Sequence, residues 1–497
     1  MACLSLQVVL FLDDLQWVDE GSWDIIKNCI EDTKNTAILI VINYRQEEIV
    51  NSHPLAVDIQ KIQTGGSKIT RVELSELHEE AVNYLVSDAL CMSRRLTRPL
   101  ANLIHIKTHG NAFFVVQCLR SLLDEGLISY VADSNRWHWD DDELHMTKLS
   151  DNVAELLMGK LQKLPIEMQD VLKKAACVGT DFSERTMYLL FGEGLPNAEV
   201  QTSGKLNRQS LSRPALGKML TVLDTEGIII HSFSLAKGSR YKFAHDKFWQ
   251  AAYSLIPKVE KSYLHLHIGR ILYNDASNEG DLNDRNKQQR LFCIADQFSK
   301  GVSHINTEKE QLDVARLNLL AGEIAMKSSA FVPAAFYLKA GIKLLGNEKQ
   351  WSTNYYDMTL RLFNFLAEAE LVNGNMDKAD QVITEILHKA RQLRDKFGAY
   401  IVLVKSFIAK GDLTQAMHTG FSVLSLLGEP FPTKVSGKHL LRQYTKTKRM
   451  CHGKTDSEIL QLPGMSSPLK TAAMQMLGTM WSVPASLFFI SFSLFYW

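Results

Sequence analysis

One six-residue pattern constrains this chain more than any other feature of its sequence. Gly374-Asn375-Met376-Asp377-Lys378-Ala379 returns as Gly411-Asp412-Leu413-Thr414-Gln415-Ala416, and Ser329-Ala330-Phe331-Val332-Pro333-Ala334 is an earlier, looser copy. The copies lie 45 and 37 residues apart. The small residue suits a tight turn between paired helices, and the alanine five positions later lets the second helix pack closely on the first. Beyond about Glu260 the chain is nearly all helical in pattern, so residues 259–497 are expected to form an α-solenoid of stacked helical pairs.

The other end has a different period. Val8-Val9-Leu10-Phe11-Leu12 is an unbroken apolar run, Glu20 to Thr33 has helical spacing through Trp23, Ile26 and Ile30, and Ala37 to Ile42 is a second apolar, branched run. This order predicts a βαβ unit of a parallel sheet whose strands are buried on both faces. Ligands of such sheets sit beyond the carboxyl ends of the strands, which here carry Asp13-Asp14 and Asn43-Tyr44-Arg45. Residues 75–127 then read as helices stopped by Gly126. Two β-hairpins follow in the pattern, Leu127–Val131 with Arg136–Asp140 around Asp133-Ser134-Asn135, and Ile228–Phe233 with Arg240–Phe243 around Lys237-Gly238-Ser239. Helices followed by a hairpin give 151–258 the outline of a winged helix.

Composition narrows the function classes. Lys plus Arg number 55 and Asp plus Glu number 55 in 497 residues, which disfavours a nucleic-acid binder or a polybasic membrane protein. The seven cysteines show no C-x-x-C and no short Cys/His set, so reduced thiols in the cytoplasm fit better than a disulfide or zinc framework. Thr471 to Trp497 carries no charge, yet Gly478 and Pro484 argue for helices that pack on further protein rather than a membrane anchor. His265 and His267, two apart on a helix, point in different directions and make a poor metal pair, and His245-Asp246 reads as a helix cap. Trp137-His138-Trp139 beside Asp140-Asp141-Asp142-Glu143 reads as a hairpin strand with an acidic turn, since the negative run repels phosphates.

The string Leu10-Phe11-Leu12-Asp13-Asp14-Leu15-Gln16-Trp17-Val18-Asp19 carries the sharpest chemistry. Adjacent carboxylates at the end of a buried strand need a cation or hydrogen bonds to compensate them. Mg²⁺ with a nucleotide phosphate is one such compensation, with Asp13 holding the metal ion and Asp14 acting catalytically on the attacking water; an Asp-capped turn is the other. Here the sequence resembles the Walker B segment of AAA-like signal-transduction ATPases of the STAND class, found within multidomain kinases and near some cyclases. The resemblance continues through Asn43-Tyr44-Arg45, Gly110-Asn111-Ala112-Phe113-Phe114, Tyr241-Lys242-Phe243-Ala244-His245-Asp246 and Leu317-Asn318-Leu319-Leu320-Ala321-Gly322.

The resemblance implies a partial P-loop NTPase sheet over 1–74, a helical lid and hairpin over 75–150, a winged-helix module over 151–258 and a TPR-like α-solenoid over 259–497. The fold class is therefore mainly α with an N-terminal α/β portion. It implies ATP and Mg²⁺ as cofactors, Arg45 as a γ-phosphate sensor, and Gly110 and Ala112 beside the nucleotide. A surface turn pairing Arg45 with Glu47 or Glu48 is the alternative at that position. Two departures stand out: no G-x-x-x-x-G-K-[ST] loop occurs, as if the chain began inside the ATPase domain, and Ala112 replaces a proline. Two functions follow: a nucleotide-dependent signalling switch, inactive in this chain, or a non-catalytic helical-repeat scaffold with a vestigial ATPase part. Either would take protein partners or kinase or cyclase output domains, with no nucleic acid and no membrane.

Overall fold

The computed structural model describes residues 8–18, 20–31, 38–49, 54–64, 69–132, 136–141, 144, 153–192, 212–234, 238–277, 285–430, several between 441 and 452, 465 and 467–480. The expected turn at Asp133-Ser134-Asn135, the acidic pair Asp142-Glu143 and residues 481–497 lie outside that set. The chain divides into two compact units, Met1–Leu119 with Ile128–Asp141, and Arg120–Leu127 with Asp142–Trp497. The molecule is mainly helical, with small sheets in both units.

In the first unit β1 (Val8–Leu12) pairs in parallel with β2 (Ile38–Ile42), Val8 opposite Ile38 and Leu12 opposite Ile42. Helices α1 (Glu20–Glu31) and α2 (Pro54–Thr64) lie on one face, where Leu15, Trp23, Leu55 and Ile62 form a core joined by Leu12, Ile26, Ile42 and Ile59. Because side chains alternate along a strand, Val9, Phe11 and Leu39 fall on the other face and are 67%, 62% and 59% exposed. The expectation of burial on both faces is therefore corrected: among the described residues α1 and α2 cover one face, and Val9, Phe11 and Leu39 on the other are exposed. Next come α3 (Glu79–Leu90), α4 (Arg94–Thr108) and α5 (Ala112–Asp124), whose residues from Arg120 on belong to the second unit. Val82, Val86, Leu100 and Ile104 of α3 and α4 are fully buried, and Thr97 Oγ1 donates to Asn83 Oδ1 at 2.8 Å beneath them. β3 (Ile128–Val131) and β4 (Arg136–Trp139) form the first hairpin, on which Trp137 meets Tyr130 edge to face at 5.3 Å.

The second unit opens with α6 (Val153–Gln162), α7 (Ile166–Val178), β5 (Asp181–Ser183), α8 (Glu184–Phe191) and α9 (Arg213–Thr225). The second hairpin, β6 (Ile229–Ser234) and β7 (Gly238–Phe243), joins β5 in an antiparallel sheet ordered β5-β7-β6. His245 is the N-cap of α10 (Asp246–Ser254), its Nδ1 accepting from the Lys247 N–H at 3.1 Å. Helices α11 (Lys258–Ser277) and α12 (Arg285–Gly301) follow. One buried polar chain ties four helices together. The Tyr253 hydroxyl lies 3.0 Å from His265 Nε2, His265 Nδ1 lies 2.7 Å from Gln297 Oε1, and Gln297 Nε2 donates to the Cys177 carbonyl at 2.8 Å. Burial holds His265 and His267 below the usual imidazole pKa, and Lys300 and Lys261 add to the effect at His265.

The array begins at α13 (Glu308–Lys327) and continues through α14 (Phe331–Lys349), α15 (Tyr356–Val372), α16 (Met376–Lys389), α17 (Leu393–Ala409) and α18 (Leu413–Leu426). The repeated hexapeptide sits at the turn within each hairpin. Ser329, Gly374 and Gly411 have φ of 59°, 76° and 78°. In each turn the next N–H bonds back to the carbonyl five residues earlier, Ala330 to Ala325, Asn375 to Glu370 and Asp412 to Phe407, at 2.9 Å every time. Ala334, Ala379 and Ala416 are completely buried against the partner helix. Hairpins stack because α13 touches α15 and α15 touches α17, while α14 packs on α15 and α16 on α17. Glu370, fully buried, is compensated by an ion pair with Lys339 of α14 and by the Asn375 amide, which donates to Oε2 at 2.8 Å.

The charge-free C-terminal stretch begins inside α19 (Pro468–Met480), whose Ala473, Met476, Leu477 and Met480 are buried on Val404, Val423 and Leu424 of α17 and α18. Among the described residues no helix is long and apolar enough to cross a membrane, and no disulfide joins Cys29, Cys91, Cys118, Cys177 or Cys293.

Two outcomes follow from these contacts. Ser329 pays the left-handed penalty that glycine avoids, so Ser329→Gly should stabilise the protein by about 0.5–1 kcal/mol and Gly411→Ala should destabilise it by about 1 kcal/mol in urea unfolding. Since the folded pKa of His265 and His267 lies below the unfolded value, their contribution is complete above the ordinary imidazole pKa of about 6.5 and is lost as pH falls through the lowered folded value. The melting temperature should therefore drop on acidification from pH about 7.5 to 5, and His265→Gln should flatten that drop.

Candidate functional site

The carboxyl ends of β1 and β2 carry a closed polar cluster. Asp14 adopts φ 52°, ψ 44°, a left-handed conformation that aspartate tolerates better than most side chains. This turns the chain so that Gln16, 7% exposed, reaches back: its Nε2 donates to Asp14 Oδ1 at 2.9 Å and its Oε1 accepts the Arg45 N–H at 3.2 Å. Arg45 Nε lies 3.5 Å from Asp14 Oδ1, and Nη1 donates to Glu48 Oε1 at 3.2 Å. Trp17 Nε1 donates to Glu48 Oε2 at 3.1 Å, while the Arg45 guanidinium sits 5.3 Å from the Trp17 ring centre. Asp13 Oδ1 accepts from Asn43 Nδ2 at 2.7 Å and from the Asp14 N–H at 3.1 Å. The backbone closes the join, with the Leu15 N–H on the Asn43 carbonyl at 2.9 Å.

Asp13, Asp14 and Arg45 are thus brought together, and each carboxylate already has protein donors. Arg45 satisfies both sequence alternatives in part: it pairs with Glu48, as a surface turn requires, and also faces the strand-end carboxylate. Gly110 and Ala112 belong to the turn between α4 and α5. There the Gly110 carbonyl accepts from the Leu77 N–H at 2.8 Å, and φ of 74° with a Cβ position 2.1 Å from the Leu77 carbonyl oxygen excludes any side chain. Asn111 Oδ1 accepts from the Phe114 N–H at 3.0 Å and so caps the helix that Ala112 begins. In this turn Gly110 is required by the close approach of Leu77, and Asn111 caps the following helix. Sequence reasoning named Glu48 as a partner of Arg45 but missed Gln16 and Asn43 as partners of the aspartates; the usable signal was the density of amide and acid side chains around two strand ends that parallel pairing must bring side by side.

Comparison with known proteins redirects the family reading. No family model matches the chain, and no solved structure matches it. Hybrid signal transduction histidine kinase G of Dictyostelium discoideum is 26% identical over 423 residues, which cover 78% of this chain and 12% of that protein. Peroxide stress-activated histidine kinase mak3 of Schizosaccharomyces pombe is 21% identical over 428 residues, 85% of this chain and 17% of that protein. The chain therefore spans less than a fifth of the length of the curated relatives it matches. The assignment to STAND-class ATPases is corrected accordingly: the relatives are histidine kinases. At the strand ends Gln16 and Asn43 supply hydrogen bonds, and Arg45 an ion-pair partner, to Asp14 and Asp13.

This geometry sets expected outcomes for substitution. Asp14→Asn keeps the turn and its amide neighbour, so it should change stability by less than about 1 kcal/mol. Gln16→Ala strips two half-buried bonds and should cost about 1–2 kcal/mol. Calorimetry with Mg²⁺ and ATP should give no binding tighter than about 1 mM, because the sequence lacks the loop of N–H donors and lysine that grips β- and γ-phosphates. Micromolar binding would overturn that expectation.

Proposed function

We propose that this chain is a non-catalytic, regulatory segment of a histidine-kinase-related signalling protein, in which TPR-like helical repeats dock protein partners or output domains. The observation that carries the reading is the run of three stacked hairpins with one repeated cap geometry, lying in a chain that aligns with part of each of two histidine kinases. Stacked hairpins build extended surfaces in which each unit contacts only its neighbours, and such surfaces bind proteins rather than perform chemistry. In this reading the β5-β7-β6 sheet with α7, α8 and α9 is a winged-helix adaptor, and the strand-end cluster of Asp13, Asp14, Gln16 and Arg45 is a structural clamp.

The test is proximity labelling in cells, with a biotin ligase fused to the protein. A labelled set that contains kinase or response-regulator proteins and loses them when residues 308–427 are deleted supports the reading. Identical sets with and without the array would exclude it.

A further inference from the structure

The array carries one cleft that neither the sequence patterns nor the strand-end cluster accounts for. It is an open groove of about 610 Å³ where α14, α15 and α16 meet, with Trp351 and Phe363 against its apolar side and Lys339, Lys343 and Lys389 around it. The cleft exists because α14 breaks at Gly346, where φ is 65° and ψ 151°. After the break Gln350 folds back, its Nε2 donating to the Ile342 carbonyl at 3.1 Å, and Trp351 spans to α16, where its Nε1 donates to Glu385 Oε1 at 3.0 Å. The indole lies 5.1 Å from the Phe363 ring, which leaves it held in place on two sides.

Charge at the cleft is unbalanced. Lys339 is paired with the buried Glu370, while Glu385 accepts the Trp351 indole N–H and keeps its own negative charge, so Lys339, Lys343 and Lys389 exceed the two carboxylates by one charge. Lys343 and Lys389 are exposed and form no ion pair with an acidic side chain among the described residues. An apolar track runs up to them along α14. Val332, Phe336, Lys339 and Lys343 recur at helical spacing on one face, and Val332 and Phe336 are 63% and 53% exposed. From Val332 to Lys343 that face extends about 16 Å at about 1.5 Å per residue, longer than a small metabolite and the length of a short peptide segment. Two exposed lysines without an ion pair among the described residues at one end, and two large apolar side chains at the other, call for a ligand with both features.

We propose that the cleft and the adjoining face of α14 bind an acidic peptide segment of a partner protein that carries a large apolar side chain. The acidic groups meet Lys343 and Lys389, and the apolar side chain packs on Phe336 or enters beside Trp351. This rests on the reading of the array as a docking surface and adds the chemistry of what it docks. Nucleic acid fits less well, because two lysines on a single cleft do not follow a phosphate backbone.

The experiment is fluorescence anisotropy with the full chain and fluorescein-labelled dodecapeptides of Glu and Ser that hold one central Phe or Leu. Saturable binding is expected, weakened at least about tenfold, or 1.4 kcal/mol, by Lys343→Glu with Lys389→Glu. Replacing the central Phe of the peptide by Ser should weaken it as well. Lys327→Glu with Lys378→Glu makes the same charge change at exposed array positions outside the cleft and should leave binding within about twofold. Equal losses in the two double variants, indifference to the central Phe, tighter binding of a labelled oligothymidylate, or no peptide binding at about 1 mM would each overturn the proposal. If the proximity-labelled set depends on residues 308–427 and the double variant at Lys343 and Lys389 leaves both that set and peptide binding unchanged, the docking reading stands and the cleft assignment falls.

Discussion

The array rests on close approach between the two helices of each hairpin, which a single residue in the left-handed region makes possible. At Ser329, Gly374 and Gly411 the chain reverses with the same pair of backbone bonds, so that orphan carbonyls at the helix end are satisfied inside the turn. The next helix then starts near enough that only Ala334, Ala379 and Ala416 fit at its first contact. Larger side chains there would push the helices apart and uncouple each hairpin from its neighbours, since a repeat array is stabilised by nearest-neighbour interfaces. The left-handed Ser329 in the first copy shows that the geometry is imposed even where the residue type resists it.

Buried polar groups make the same unit specific about which helices meet. Glu370 has no exposure, and it is matched from one side by Lys339 and from the other by Asn375, so α14, α15 and the following turn must come together in one way. Tyr253, His265, Gln297 and the Cys177 carbonyl do the equivalent for the helices before the array. Each such group would be costly without its partners, which makes misaligned packings less stable than the observed one.

At the N-terminal strands the same accounting leads to a different conclusion about chemistry. Two adjacent aspartates at a strand end suggest an ion when the chain is read as a string. In the folded protein their needs are met by Gln16, Asn43 and Arg45. In the proposed reading the cluster acts as a structural clamp between β1 and β2. Meanwhile Val9, Phe11 and Leu39 stay open because α1 and α2 cover one face of the two-stranded sheet.

The sequence by itself determined the elements whose causes are local. The hexapeptide copies marked the hairpin turns, His245 marked a cap, and the apolar runs marked two parallel strands and two β-hairpins, because turn geometry, capping and side-chain period act over a few residues. The Gly110 turn was legible as a motif, but its reason was not, since the contact that demands glycine comes from Leu77, thirty-three positions away. Tertiary structure alone decided that one face of the β1-β2 sheet is open, that Gln16 answers Asp14, and that Lys343, Lys389 and Trp351 share a cleft. Those facts depend on which distant segments meet, and a run of lysines spaced along two helices has no neighbour until the helices pack.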